Sequence, residues 1–353
     1  MGDRCEMLRI GIIGYGKMGR LRHELVERSG RGKVVVVCDP YMKPQGLPDS
    51  ILVHDDWRAV VEDSQVDAIF IATANVYNKP VAIAAMLAGK DVFCEKPPAL
   101  TGDDMAEVIK VELATSRKLM YGFNHRLHGA VKHMREIVDS NRFGRVLWMR
   151  GRYGKSVDAN FLSTWRANRE LSGGGIMIDQ GIHMLDLFLF LGGEFDEVQA
   201  MVSSLYWNQS GIEDNVFANF RNSRTGLVAS LHSTMTQWRH IFSLEVFMEC
   251  GYMALNGLKT SSNSYGTEQL SIAMNRSKAP AATWEDEERL TYETDTSWDS
   301  EIRMFFDAIE KGAPITSGNS TQALEVMRLL DRIYAHERHE SDVLYTDLNA
   351  VRT

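Results

Sequence analysis

Apolar residues in the first third of the chain come in short runs separated by stretches of mixed polarity. Leu8–Ile13, Val34–Cys38, Ala68–Ala72, Val92–Cys94 and Leu119–Tyr121 are the runs, and Val34–Cys38 is four valines and a cysteine. Continuous apolar runs this short predict strands buried on both faces. Between them Lys17–Arg28, Trp57–Glu62, Pro80–Ala88 and Asp103–Ser116 read as helices, the third with proline near its first turn. Strands alternating with helices predict a doubly wound parallel sheet. The pattern ends near Asn124.

Beyond Asn124 the rhythm changes. Val131–Val138 reads as one more helix, and Val146–Arg152 alternates like a strand with one wet face. A helix is predicted from about Gly175 to Leu191. Strand-like segments then follow at Glu197–Ser204, Asn215–Phe220, Gly226–Thr234, Ser243–Met248 and Tyr252–Leu255, a series that predicts a large, mostly antiparallel sheet. Thr260–Arg289 is polar and weakly patterned and reads as a long excursion. Two closing helices are expected at Glu301–Lys311 and Thr321–His336. The chain of 353 residues is too long for one ordinary core. The expected organisation is α/β with two domains, residues 1–124 and 125–353, divided by a change of pattern and not by a linker.

Composition narrows the function classes. Lys plus Arg number 39 against 47 Asp plus Glu, a net charge of −8, with no basic run, which disfavours nucleic acid as a partner. The four cysteines, Cys5, Cys38, Cys94 and Cys250, form no CxxC pair, so neither zinc nor a redox pair is indicated and a reducing cytosol is expected. The first apolar run is too short for a signal peptide, and Glu6 stands where a myristoylation site wants Ser or Thr. Val81–Ala88 and Leu185–Leu191 are too short to span a bilayer. A cytoplasmic protein without a membrane partner is the expectation.

The first candidate chemistry is Gly14-Tyr15-Gly16-Lys17-Met18-Gly19, a G-x-G-x-x-G between a strand and a helix. Gly14 allows a tight turn, Gly16 lets the backbone approach a pyrophosphate, and Gly19 lets the helix pack close to the strand. The helix N-terminus offers N–H groups and partial positive charge to the phosphates. Asp39 ends the next strand twenty residues after Gly19, where a carboxylate grips ribose hydroxyls and repels a 2′-phosphate. NAD is therefore expected over NADP, although Lys43 keeps NADP open. A purely structural glycine turn is the competing reading.

Two further clusters follow. Cys94-Glu95-Lys96-Pro97-Pro98 comes directly after a predicted sheet strand, where ligands of open parallel sheets bind. An ammonium at Lys96 would stabilise a developing oxyanion, and the alternative is a surface lysine before a turn. In Gly173-Gly174-Gly175-Ile176-Met177-Ile178-Asp179-Gln180-Gly181-Ile182-His183, Asp179 and His183 are four apart and share a helix face. A carboxylate beside an imidazole suits acid/base work. A core histidine with an ion-pair partner is the competing reading. No third ligand beyond Asp186 offers itself, so no metal is expected. The glycine run admits either a ligand or a sharp entry into the helix.

Together these motifs, with Ile71-Ala72-Thr73-Ala74-Asn75, Gly122-Phe123-Asn124-His125-Arg126, Trp165-Arg166 and the Ala323-Leu324 helix, resemble the glucose–fructose oxidoreductase/inositol dehydrogenase (Gfo/Idh/MocA) family over nearly the whole chain. The resemblance implies a Rossmann NAD(P)-binding domain followed by a substrate-binding and oligomerisation domain whose open sheet forms homodimers or homotetramers. It implies catalytic roles for Lys96, Asp179 and His183. Thr73, Asn75, Glu95, Lys96, Asn124, Trp165 and Arg166 would meet the cofactor with the glycine turn and Asp39. Arg126, Tyr153, Lys155 and Trp238 would meet the substrate together with Lys96, Asp179 and His183. Ala74 and Asn78 depart from the family's usual Pro and His.

The activity implied is hydride transfer between nicotinamide and a secondary alcohol or ketone of a sugar, inositol or nucleotide sugar. Alternatives are an NAD-dependent glycosidase, a non-catalytic dinucleotide-binding regulator, and a transhydrogenating enzyme that retains its cofactor.

Overall fold

The computed structural model describes residues 7–40, 46–275, 280 and 282–350, with side chains up to 336. Expectations resting on Cys5, Glu6 and Lys43 lie outside the described residues. The chain divides into two compact units. One takes the chain up to Asn124 together with Ser297–Met327, and the other takes His125–Thr296 and the chain from Arg328 on.

In the first unit, among the described residues, the strands are β1 (Leu8–Ile13), β2 (Gly32–Cys38), β3 (Leu52–His54), β4 (Ala68–Ile71), β5 (Asp91–Cys94) and β6 (Leu119–Tyr121). They form one parallel sheet in the order β3-β2-β1-β4-β5-β6, the doubly wound order of dinucleotide-binding sheets. Four helices connect it: α1 (Lys17–Ser29), α2 (Trp57–Glu62), α3 (Asn78–Leu87) and α4 (Gly102–Thr115). β4 is buried at all four positions, as a strand covered on both faces must be.

The expectation that the second domain holds all of 125–353 is corrected here. Helix α8 (Ser297–Lys311) belongs to the first unit, because its apolar face completes that unit's core. Phe70 and Phe93 stack at 5.0 Å, and Phe305 meets both edge-on at 5.5 and 5.7 Å.

In the second unit, among the described residues, eight strands follow one another as β7 (Val146–Ser156), β8 (Glu197–Ser203), β9 (Asn215–Arg221), β10 (Val228–Thr234), β11 (Thr236–Met248), β12 (Gly251–Asn256), β13 (Glu268–Met274) and β14 (Glu288–Tyr292). Their order in the sheet is β14-β13-β12-β11-β7-β10-β9-β8, antiparallel at every pairing except β10 with β7. The excursion expected over Thr260–Arg289 therefore contains β13 and leads into β14. Helix α5 (Gly129–Asp139) and a broken helix pack in this unit. The broken helix is α6 (Arg169–Ser172), a π turn over Met177–Gly181, then α7 (Ile182–Gly192). The run Arg169–Gly192 is long and apolar enough to cross a membrane by length and composition, but 78% of its apolar window is buried, so it reads as a core helix. The last helix, α9 (Ser320–Ala350), contributes its start to the first unit and its remainder to the second.

Candidate functional site

Strand register in the first unit gathers the predicted dinucleotide residues. Ile13 pairs with Cys38 and with Ile71, Ile71 with Cys94, and Cys94 with Tyr121. All five strands therefore end level, and Gly14, Asp39, Thr73, Glu95–Lys96 and Asn124 follow their carboxyl ends. Gly14 adopts φ +90°, and a Cβ on it would fall 2.4 Å from the Ala72 carbonyl oxygen. A Cβ on Gly19 would fall 2.0 Å from the Gly14 carbonyl oxygen, so helix and turn pack as closely as the motif requires. A Cβ on Gly16 would meet nothing within 4 Å.

No side chain caps α1 at Gly16, and the N–H groups of a helix's first turn have no partners within the helix. Lys17 is exposed and Met18 half-buried, while the buried Tyr15 meets His23 Nδ1 at 2.6 Å. The half-buried Asp39 accepts the Tyr15 backbone N–H at 2.9 Å, which ties the acid to the glycine turn. An open cradle, an uncapped helix start and an adjacent carboxylate fit the phosphates and ribose of a dinucleotide.

Lys96 is half-buried and its peptide bond to Pro97 is cis. Asn78, where the family's usual residue is absent, donates its amide to the carbonyls of Pro97 at 2.7 Å and Glu95 at 3.4 Å, bracketing Lys96. Glu95 is buried and receives Arg22 at 2.7 Å from Nε and 2.6 Å from a terminal nitrogen. The same guanidinium reaches Glu301 at 2.7 Å and lies over the Phe93 ring. Burial works against the Arg22 charge, but Glu95 and Glu301 outweigh it and hold the guanidinium above its ordinary range. Asn124 donates to the Ser297 hydroxyl at 3.1 Å. Thr73 is half-buried and Asn75 buried.

In the second unit, Asp179 lies on the π turn and His183 near the start of α7. Asp179 accepts Lys155 at 3.1 Å, Arg166 at 3.3 Å and the Gln180 amide at 3.2 Å. Arg166 also lies over the Trp165 ring at 4.4 Å. The His183 ring is buried and stacks on the His125 ring, 3.8 Å between centroids at 16°. His125 Nε2 meets the Tyr153 hydroxyl at 3.0 Å. Burial, then Tyr265, pushes the Tyr153 phenol well above its ordinary range, so it stays protonated.

The glycine run before this turn faces protein. A Cβ on Gly175 would lie 2.0 Å from the Glu213 carbonyl oxygen, and one on Gly174 would lie 2.3 Å from the Tyr334 hydroxyl. Of its two anticipated uses, the sharp entry into the helix is the one realised.

The structure thus gathers Lys155, Arg166 and Trp165 around Asp179, and Tyr153 and His183 around His125, with Asp179 near enough to act on the Tyr153 phenol. It does not bring Arg126 into either through its guanidinium. Arg126 is buried and makes two hydrogen bonds to Asp186, at 2.8 and 2.6 Å, which hold its guanidinium in a core ion pair. Trp238 is 85% exposed, and its aromatic face is covered by the Arg239 guanidinium.

Sequence reasoning passed over His125, Glu213, Tyr334 and Arg22. His125 stood inside a quoted motif and had a readable signal. The others act through contacts between distant positions.

Comparison with known proteins agrees with this architecture. Residues 8–123 match the model of an oxidoreductase family with an NAD-binding Rossmann fold, and residues 131–254 match the GFO/IDH/MocA C-terminal domain. A levoglucosan dehydrogenase of Pseudarthrobacter phenanthrenivorans is 30% identical over 217 residues, covering 56% of this chain and 55% of that protein. This chain therefore matches about half the length of that relative. A 1,5-anhydro-D-fructose reductase of Ensifer adhaerens is 28% identical over 88% of this chain and 91% of its own. Among solved structures, a levoglucosan dehydrogenase in complex with NADH and L-sorbose superposes with a TM-score of 0.81 at 23% identity, over 95% of this chain and 98% of that one.

Proposed function

The chain belongs to the Gfo/Idh/MocA oxidoreductases, and on that premise we propose that it is an NAD-dependent dehydrogenase of a sugar, an inositol or a nucleotide sugar. The observation that carries this reading is the level ending of the parallel strands. It sets the open glycine cradle, Asp39 and Lys96 along one edge of the sheet. NAD is preferred to NADP because a carboxylate at Asp39 repels a 2′-phosphate. When bound, the nicotinamide accepts or returns a hydride.

The chain's own residues do the rest. Lys96 donates a hydrogen bond to the substrate oxygen and stabilises the negative charge that grows there. His183 takes the hydroxyl proton and returns it in the reverse direction. Its buried ring is held face to face by His125, and the Tyr153 hydroxyl fixes His125 in turn. Asp179 balances Lys155 and Arg166 and keeps both cations beside the turn that precedes His183. The relatives named as acting on anhydro sugars support a carbohydrate substrate. A cytoplasmic location and a homodimer or homotetramer formed through the second unit's sheet complete the proposal.

The test is product stoichiometry with purified protein, NAD and a panel of sugars, polyols and nucleotide sugars. One reduced nicotinamide per carbonyl formed is expected. Bond cleavage without net reduction would replace the dehydrogenase with a glycosidase. Dinucleotide binding without turnover of any member would favour a regulator.

A further inference from the structure

We propose that Glu213, together with Tyr334, is the positioning device of the turn that bears Asp179 and leads into His183. The inference deepens the proposed reaction and rests on that reading for its functional meaning.

The first N–H groups of a helix lack partners within the helix. Here one residue answers three in succession. Glu213 Oε2 accepts the Gly175 N–H at 2.7 Å, its main-chain carbonyl accepts the Ile176 N–H at 3.0 Å, and Oε1 accepts the Met177 N–H at 2.9 Å. The Tyr334 hydroxyl donates a further bond to Oε1 at 2.8 Å, from helix α9. Both side chains are buried, and the carboxylate sits where the helix dipole favours negative charge.

The glycines belong to the same device. Side chains at 174 and 175 would collide with Tyr334 and with the Glu213 backbone, so only glycine lets the turn close onto its clamp. The next backbone link runs from the Asp179 N–H to the Gly175 carbonyl at 3.1 Å. The clamp therefore sets the phase of the turn on which Asp179, Lys155 and Arg166 meet, and of the helix that follows with His183.

E213Q and Y334F in the full chain test this. Gln keeps the shape, but its amide NH2 faces a donor on one side. Y334F removes one hydroxyl and leaves the carboxylate. Neither residue lies in the dinucleotide unit, so NAD affinity measured by fluorescence titration should match wild type. Backbone amide exchange over 173–183 should quicken in both variants. In E213Q kcat should fall roughly tenfold to a hundredfold while KM for NAD stays put, as expected when supported groups are misplaced.

Wild-type exchange over 173–183 in both variants, with kcat within about twofold of wild type, would overturn the proposal. Should E213Q fail to fold, Y334F decides by the same two readouts. If no alcohol is oxidised by the wild type while exchange quickens in the variants, the clamp stands and the proposed reaction falls.

Discussion

Glu213 and Asp214 are neighbours in sequence and both are buried, yet their carboxyls are displaced in opposite directions. Burial pushes Glu213 up, and the bonds from Met177, Tyr334 and Gly175 only partly offset it. Burial also pushes Asp214 up, but the backbone N–H groups of Leu205, Trp207 and Tyr206 and the Asn215 amide outweigh it and hold it below the ordinary range. A depressed folded pKa means that the Asp214 contribution is present above the usual carboxyl value, about 4. It is lost as pH falls through the lower folded value. Asp214→Asn should therefore cost about 1–3 kcal/mol at neutral pH, and the gap to wild type should narrow at an acid pH below the usual carboxyl range. Denaturant titrations at the two pH values check this, and a gap that stays constant would refute it. Placements that follow from local sequence were legible: Gly14 and Gly19 form a tight strand–helix turn, and Asp39 directly follows the neighbouring strand. The Arg126–Asp186 pair and the hold of Glu213 on the 175–177 backbone were not legible, because both are fixed by tertiary packing and not by spacing.

Elements with strong patterns were found and those without were not. The buried parallel strands announce themselves as apolar runs. The strands missed, β3 and β14, are sheet edges, and β13 is the neighbour of one. Edge strands favour short, polar sequences that resist pairing with other chains, and Glu288-Arg289-Leu290-Thr291-Tyr292 has little apolar periodicity to read. β13 opens on Glu268, which is buried because it accepts His128 at 2.8 Å and the Ala130 N–H at 2.9 Å. The π turn likewise leaves no mark in hydrophobic spacing.

The sheet's other property at this scale is an apolar stripe. Met201 lies opposite Phe217, Phe217 opposite His232, and Val228 opposite Trp148, so all five side chains share one face. Met201 is 55% and Phe217 45% exposed. Such a stripe fits burial against a second copy of the chain. Phe217→Glu should shift the protein toward monomer in light scattering after size exclusion. A wild-type monomer, or an unchanged mass in the variant, would remove the sheet from the proposed interface.

At the scale of the whole molecule, the division of the chain was legible except for Ser297–Met327. That segment returns to the first unit because Phe305 and Phe306 fill its core. The family was legible because its motifs occur in order along the chain, while the substrate alcohol is written in no motif. The proposed reaction assigns Lys96 to the substrate oxygen and His183 to its proton. The most direct measurement is the single-turnover rate of nicotinamide reduction, with the alcohol found in the panel, in wild type, Lys96→Ala and His183→Ala. Each substitution should slow the transfer by on the order of a hundredfold to ten-thousandfold while NAD still binds. Transfer at near wild-type rate in either variant would contradict the account.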